Sequence, residues 1–399
     1  MKGWTRTLAL VCLVAAALAA PLLAAEGEKA AEPGPWLKTK YGVSLYGFFK
    51  LDLVYDDSRM NQGDYARWVE PEEGGSDNQS NITANQSRFG LKFDTEERHP
   101  VRTRGQVEVD LYGAAPENKP ELMIRHAFLE VEWPESDVRL LAGQTFDVIS
   151  PLNPPVINYT VNWWCGNIGY RRAQLRYTKG FHRDGKARYN VEVALARNIG
   201  HDAPFDPGDT GEDEAMPSVQ GRFSFAIPMG PDRNGTFGFS GHVADEEWDY
   251  AATGESYHLD SSSLNFDFKI SMSPKWGFQG EFFHGTNLDA YLGGIGNGLN
   301  VPAAGGAPAE IGATGGWLNV GGTPFPKWTM NFGAGVDDPD DADLTAGMRS
   351  RNRNVYGNFW YDLTPAAKVG FELSQWDTSY RSAKGADDWR FQGAFLFNF

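Results

Sequence analysis

Cysteine is almost absent from this chain. Its 399 residues hold two, Cys12 and Cys165, and Cys12 lies in an apparent leader. One remaining thiol cannot form an internal disulfide, even in an oxidising compartment. Cys165 has no base partner at a telling spacing, so it reads as structural. Long apolar runs are also missing. After residue 20 no stretch approaches the ~20 apolar residues that a membrane-spanning helix needs, which excludes a helical membrane protein. Positive charge is in short supply: 36 Lys and Arg against 52 Asp and Glu give a net charge of -16. Such a chain is a poor partner for nucleic acid. Gly-x-Ser-x-Gly, Walker and zincin motifs are absent. His126, His242 and His284 are scattered without metal-ligand spacing. Gly293-Gly294-Ile295-Gly296 opens no helix, which argues against a phosphate cradle.

The first residues form a cationic stretch with Lys2 and Arg6. An almost pure Leu, Ala and Val run spans residues 8–20, and small residues lead to Ala24-Ala25. This is the pattern of a secretory signal peptide, here residues 1–25. Cys12 follows Val11 where a lipoprotein needs a small residue, and the apolar run continues past it. Cleavage removes two cations and no acid, taking the net charge from -16 to -18. Residues 26–40, with Pro33 and Pro35, read as a short periplasmic lead-in. Residues 41–399 read as one domain.

Period-two alternation is what the chain has in abundance. From Trp389 the odd positions are Trp389, Phe391, Gly393, Phe395, Phe397 and Phe399. The even ones are Arg390, Gln392, Ala394, Leu396 and Asn398. One face is aromatic and the other mostly polar. The last strand of a soluble sandwich could show this pattern. So could the terminal strand of a closed barrel in a bilayer, with lipid outside and water inside. The whole chain favours the barrel. Similar alternation recurs in fifteen earlier segments, from Val43-Leu45 through Val369-Phe371, which makes sixteen strands. Connections alternate between short and long. Short ones fall near Pro100, Pro134, Gly180, Pro228, Pro274, Pro324 and Pro365. Long ones fall near residues 57–86, 113–121, 147–168, 198–217, 246–258, 285–315, 337–350 and 379–387. The expectation is an all-β, transmembrane antiparallel barrel with short periplasmic turns and long extracellular loops. Abundant Gly, 13% aromatics and a negative mean hydropathy suit alternating faces that average out.

Sixteen strands leave a water-filled lumen, so permeation of small solutes is the default function. The polar parity then lines the pore with Arg88, Lys92, Arg104, Glu108, Asp110, Arg139, Arg172, Arg176, Arg188 and Arg222. Later strands offer a mixed set: Asn265, Asp267, Lys269, Gln279, Glu281, Asn331, Lys368, Glu372 and Arg390. Arg125, Arg171 and Arg353 fall on the nominal lipid face near loop ends, where a bulge or register slip is expected. The third long loop, 147–166, is poor in charge and holds Asn153, Tyr159, Trp163 and Trp164, with Asp147 its only carboxylate. Such groups belong inside, so this loop is expected to fold into the pore as a nearly neutral constriction facing a basic wall. Arg and Lys rows favour anions, and Arg matches carboxylate or phosphate bidentately. The alternative for any one Arg is a wall ion pair with Glu108, Asp110, Glu130 or Glu192. A sugar channel would need an inward aromatic slide. Tyr46, Phe48, Tyr112 and Phe128 point inward but make no continuous ladder.

Acidic runs crowd two outer loops: Asp337, Asp338, Asp340, Asp341 and Asp343 in the seventh, and Asp202, Asp206, Asp209, Glu212, Asp213 and Glu214 in the fourth. Clustered carboxylates can hold calcium, but neither run has EF-hand spacing, and a solvated loop is the simpler reading. Asn81-Ile82-Thr83 fits a glycosylation sequon that means little in a bacterial barrel. No cofactor other than such calcium is expected.

Several motifs carry a resemblance: Tyr46-Gly47-Phe48-Phe49-Lys50-Leu51-Asp52, Thr83-Ala84-Asn85-Gln86-Ser87-Arg88-Phe89-Gly90, Gly105-Gln106-Val107-Glu108-Val109-Asp110, Ile124-Arg125-His126-Ala127-Phe128, Gly143-Gln144-Thr145 and Arg171-Arg172-Ala173-Gln174-Leu175-Arg176-Tyr177. Over residues 41–180 the chain resembles the dicarboxylate-type, DcaP-like porins of Gram-negative outer membranes. The resemblance implies a homotrimeric diffusion porin for small anionic solutes such as dicarboxylates. An outer-membrane enzyme of the lipase kind would need a Ser/His pair at the lipid face, and no such pair is apparent, so no enzyme is expected. The last strand also resembles the signal strand of outer-membrane barrels, whose terminal Phe, here Phe399, is read by the insertion machinery. The helical coiled-coil segment frequent in that family has no room in residues 26–40. A phosphate- or sugar-permeable porin is one alternative. A structural or adhesive barrel with calcium-binding loops is another.

Overall fold

The computed structural model describes residues 42–71, 77–95, 100–113, 120–183, 187–199, 216–230, 233–250, 254–301 and 307–399. The expected signal peptide and lead-in, residues 1–40, and the fourth-loop carboxylates lie outside the described residues.

Beside a small separate pair, Leu299–Asn300 and Ala309–Glu310, the described residues form a barrel of sixteen antiparallel strands. They are β1 (Gly42–Asp56), β2 (Gln79–Thr83 and Arg88–Asp94), β3 (Arg102–Asp110), β4 (Met123–Trp133), β5 (Val138–Phe146), β6 (Arg171–Arg183), β7 (Ala187–Ala196), β8 (Ser218–Gly230), β9 (Arg233–Tyr250), β10 (Glu255–Ser271), β11 (Trp276–Thr286), β12 (Gly312–Phe325), β13 (Trp328–Pro339), β14 (Arg349–Asp362), β15 (Ala367–Tyr380) and β16 (Ala383–Asn398). The two lengths of β2 count as one strand because both pair with β1. Each strand pairs with the next, and β1 pairs with β16 from Phe48↔Asn398 to Asp56↔Arg390, which closes the sheet.

The two faces decide what kind of barrel this is. Leu45, Phe49, Leu51 and Leu53 of β1 are exposed on the outside, while Lys50, Asp52 and Asp56 are buried within. On β16, Trp389, Phe395 and Phe397 face out, and Arg390 and Gln392 are buried. An exterior of Leu, Phe and Val around an interior of Lys, Asp, Arg and Asn inverts a soluble core. Closure satisfies every strand edge, as hydrocarbon demands. A dry interior lined by aromatic rows, as in a sandwich, is ruled out.

The seam is close-fitting. Gly47 N–H donates to Phe399 O at 3.2 Å and Phe399 N–H to Gly47 O at 3.1 Å. The Phe399 ring packs 5.2 Å from Phe49 and 6.0 Å from Phe89. A Cβ on residue 47 would lie 2.2 Å from Arg88 O and 2.7 Å from Phe399 Cζ, so only glycine fits.

Two connections differ from expectation. The long loops expected at 246–258 and 379–387 are largely strand. β9 and β10 pair as far as Tyr250↔Glu255, and β15 and β16 as far as Tyr380↔Ala383. The short connections expected near Gly180 and Pro228 follow Arg183 and Gly230, a few residues further on.

Candidate functional site in the barrel lumen

Among the described residues, three outer loops fold back inside. The third, residues 147–170, begins at a closed neck. Asp147 Oδ2 accepts from Tyr170 N–H at 2.8 Å. Its Oδ1 accepts from Gln220 Nε2 at 2.8 Å and lies 2.9 Å from Arg172 Nε. The chain then crosses the lumen. Leu152 N–H donates to Glu281 Oε1 of β11 at 2.7 Å. Asn358 Nδ2 of β14 donates to Pro155 O at 2.8 Å. Ile157 N–H donates to Glu372 Oε2 of β15 at 2.7 Å, and Lys50 Nζ of β1 donates to Ile157 O at 2.7 Å. On the return, Asn162 and Asn354 exchange amide hydrogen bonds at 3.1 and 3.2 Å, and Asn352 Nδ2 donates to Trp164 O at 2.8 Å. Loop backbone enclosed in a barrel needs such partners. Wall side chains supply them because β14 points Asn352, Asn354 and Asn358 inward.

The first and sixth loops lock onto the third. Val69 N–H donates to Thr378 Oγ1 at 2.9 Å, and Thr160 Oγ1 donates to Ala66 O at 2.8 Å. Trp164 N–H donates to Leu292 O at 2.8 Å. The Arg67 guanidinium lies 4.2 Å from the ring centres of both Trp68 and Trp164, and Arg349 lies 4.0 Å from Trp68. Rings touch in a chain from Trp68 through Trp164, Trp163, Tyr159 and Tyr112 to Tyr65. The sequence suggested no such continuity. Guanidiniums cover the Trp68 and Trp164 faces, so this is a fastening and not an open slide.

Most bonds of the third loop to the wall fall on β8, β11, β13, β14, β15 and β1. On the arc from β2 to β7, where most of the predicted cations stand, Tyr159 reaches Asp110, Asp147 pairs with Arg172 and Tyr170 Oη meets Met123 Sδ at 3.6 Å. Arg88 Nε lies 3.4 Å from Glu108 Oε1, with Phe48 under the guanidinium at 5.2 Å. Lys92 is exposed to the lumen with Nζ 4.6 Å from the Tyr46 ring. Arg104 is half exposed and pairs with Glu130 at 2.5 Å. Glu108 accepts from Tyr46 Oη at 2.8 Å. Arg139 is half-buried and has no ion pair among the described residues. Arg172 is committed to Asp147 and lies 3.9 Å from the Tyr291 ring. Arg176 Nε donates to Gln174 at 2.9 Å, and its Nη2 donates to Phe146 O. Arg188 stands at the rim, half exposed, 3.7 Å from Asp137. Arg222 grips Asp267 through Nε at 3.1 Å and Nη2 at 2.7 Å.

Two arginines on the nominal lipid face turn inward. A register shift between Glu108 and Val109 in the β3–β4 pairing brings Arg125 inside. There its Nε donates to Glu108 Oε1 at 3.0 Å and its Nη1 to Asp110 Oδ2 at 2.7 Å. Arg171 is only 2% exposed and lies within 5.6 Å of the Phe146, Trp163 and Tyr170 rings. It has no carboxylate within ion-pair distance among the described residues, and its Nε and Nη1 lack hydrogen-bond partners. Arg353 does face outward, 3.1 Å from Asp377 Oδ1.

The loop residues divide in role. Asp147 is spent at the neck, so no loop carboxylate faces the arc. Asn153 O accepts from Gln279 Nε2 at 3.5 Å. Trp163 is buried and Trp164 half-buried. Tyr159 Oη donates to Asp110 Oδ2 at 3.3 Å and lies 3.5 Å from Arg125 Nη1. Burial, then the Asp110 charge, push this hydroxyl up to about 12 against the pull of Arg171 and Arg125. It stays a neutral donor.

The seventh-loop carboxylates do not converge. Asp337 is buried and accepts from Ile295 N–H at 3.3 Å. Asp338 and Asp340 are exposed, and Asp341 lies 3.4 Å from Arg381. Among the described residues no group of three or more His, Cys, Asp or Glu is placed to hold a metal ion.

A closed, sixteen-stranded barrel with a loop threaded through its lumen is the architecture of porins. No protein-family model matches the sequence, and no curated protein matches it. Solved structures do. The outer membrane channel DcaP of Acinetobacter baumannii is 18% identical, with 92% of this chain and 100% of that chain covered and a TM-score of 0.74. An anion-selective porin from Comamonas acidovorans is 10% identical over 90% of this chain and 100% of that one, with a TM-score of 0.55. The trimer form of OmpT, an outer membrane protein of Vibrio cholerae, is 12% identical over 90% of this chain and 99% of that one, with a TM-score of 0.55. The chain therefore has the DcaP-like porin fold. That fold and its apolar belt make it a multi-pass β-barrel of the Gram-negative outer membrane.

Proposed function

We propose that the protein is a non-enzymatic diffusion porin that favours small anionic solutes, dicarboxylates among them. One observation carries this reading. Beside the loop tip, three guanidiniums, Arg88, Arg125 and Arg171, meet only two carboxylates, Glu108 and Asp110. The surplus is positive and lies in a confined lumen, where a fixed charge acts strongly on a passing ion. Arginine also matches carboxylate geometry. The Comamonas neighbour, described as anion-selective, supports the same reading. A homotrimer is the expected assembly, in line with the trimer form of the Vibrio neighbour. Phe399 would serve the insertion machinery, and the exposed seventh-loop carboxylates Asp338 and Asp340 are read as solvated.

The test is a planar bilayer holding the purified protein across a KCl gradient. An anion-selective reversal potential is expected, and a cation-selective one removes the anion reading. Liposome swelling should be faster with succinate than with maltose. The reverse order would point to a sugar-permeable porin, and faster swelling with phosphate than with succinate to a phosphate porin. Absence of conductance would point to a structural or adhesive barrel.

A further inference from the structure

We propose that Lys50 and Glu372 form a clasp on the tip of the third loop and thereby set the size limit of the channel. The inference rests on the channel reading above and adds to it the residues that fix the aperture.

Ile157 is held at both of its backbone polar atoms by side chains of opposite charge. Its N–H donates to Glu372 Oε2 at 2.7 Å, and its carbonyl accepts from Lys50 Nζ at 2.7 Å. The two side chains come from β15 and β1, on either side of β16. The ammonium has three N–H groups and three partners. Besides Ile157 O, these are Gln86 Oε1 at 2.5 Å and Asp52 Oδ1 at 3.0 Å. Glu372 Oε2 also accepts from Asn358 Nδ2 at 2.8 Å, and the same amide group donates to Pro155 O at 2.8 Å. Lys50 is 3% and Glu372 2% exposed. Buried charges of this kind are costly unless their partners stay in place. A donor and an acceptor on one loop residue prevent it from sliding along the wall in either direction.

The clasp sits two residues before Tyr159, the loop side chain that reaches Asp110 and Arg125 on the basic arc. Fixing Ile157 therefore fixes how far the tip projects toward Arg88, Arg125 and Arg171. In this arrangement the arginines act on charge and the clasp acts on width.

Lys50→Met and Glu372→Gln, each in the full chain folded in lipid, separate these roles. The substitutions change the charge in opposite directions, so a purely electrostatic role moves their reversal potentials oppositely and leaves the size limit alone. A clasp moves both the same way: swelling with a large neutral sugar rises relative to a small one. A second readout needs no transport. Cys165 lies on the same loop, 0% exposed, with Sγ 3.7 Å from Gly335 O. Loss of one charge-assisted hydrogen bond should raise the undocked fraction, and so the rate of Cys165 labelling by a neutral maleimide, by about tenfold. Labelling and size ratio both unchanged in the two variants overturns the clasp. Arg353→Gln, on the outer face, must change neither. If both variants fail to give the heat-modifiable barrel band, Asn358→Ala carries the test. It frees Pro155 O and removes one donor to Glu372, so a smaller change in the same two readouts is expected, and none refutes the proposal. Unmasked Cys165 in a protein that never conducts would leave the clasp standing and sink the channel reading. Normal conductance with Cys165 still masked would do the opposite.

Discussion

Arg171→Gln is the sharpest test of the proposed anion preference of the lumen. Arg88, Arg125 and Arg171 against Glu108 and Asp110 leave one net positive charge, and the substitution brings the group to neutrality. Arg171 is the right member to change because no carboxylate is stranded by its loss. Arg172→Gln, by contrast, would leave Asp147 buried without its 2.9 Å partner. One charge about 6 Å from a passing ion is worth about 0.7 kcal/mol at a dielectric of 80 and about 2.8 at 20. That corresponds to roughly a threefold to hundredfold change in partition. Salt at 0.1 M, with a Debye length near 10 Å, trims the effect toward the lower end. The anion-to-cation permeability ratio in a KCl gradient should fall about threefold or more. The difference from wild type should shrink in 1 M KCl, where the Debye length is about 3 Å. Arg353→Gln is the matched control, since it removes the same charge from the outer face beside Asp377. An unchanged ratio in a folded Arg171→Gln barrel, or equal shifts in both variants, would refute the reasoning.

Three further outcomes are expected. Burial pushes the Cys165 thiol well above its ordinary range, which disfavours the thiolate. The native barrel should therefore resist maleimide at pH 8 and gain little reactivity on going to pH 9, while the unfolded chain reacts; equal rates would contradict that burial. Leu51→Arg puts a charge on the lipid face opposite Phe395, and should cost about 2–4 kcal/mol near the midplane in urea unfolding from vesicles. A cost under about 1 kcal/mol would place that face outside the hydrocarbon. Gly47→Val puts side-chain atoms against Arg88 O and the Phe399 ring, so the heat-resistant band should be lost; a normal band would contradict the seam.

The strands are legible because lipid and water impose one rule on every membrane-embedded residue. Leu264 and Phe266 on one parity and Asn265 and Asp267 on the other need no tertiary information to be sorted. The rule lapses where a hairpin leaves the bilayer. Around Glu246–Tyr250 and Ser379–Asp387 charged and small residues interrupt the apolar parity, so β-ladder there reads as loop. Parity fails again at Arg125, because one register shift turns a side chain across the sheet and leaves no mark in composition. The third loop is readable from its Trp pair. The infolded first loop offers a weaker form of the same signal, Trp68-Val69 in a polar stretch. The even-numbered amides Asn352, Asn354 and Asn358 are visible as a row. What they hold is not, since their partners Trp164, Asn162 and Pro155 lie about two hundred positions away.

Net charge and the proposed selectivity point in opposite directions in this chain, and the lumen offers a way for both to hold. The balance of -16 is dominated by carboxylates that a permeating ion meets at a distance or not at all. Asp337 is turned into loop backbone, Asp340 and Asp341 face outer solvent, and Asp147, Glu281 and Glu372 accept from loop or neck groups. Coulomb energy falls with distance and with the water between charges, so such acids count little at the narrowest level. Charge at that level is decided by which wall the loops cover. The third loop takes up the acids of β11 and β15 as anchors. The loop meets the arc from β2 to β7 at Tyr159, Asp147 and Tyr170, and that is where the guanidiniums exceed their partners. An acidic porin favours anions, on the proposed reading, because its third loop takes up Glu281 and Glu372 as anchors while Arg88, Arg125 and Arg171 outnumber Glu108 and Asp110 beside the loop tip.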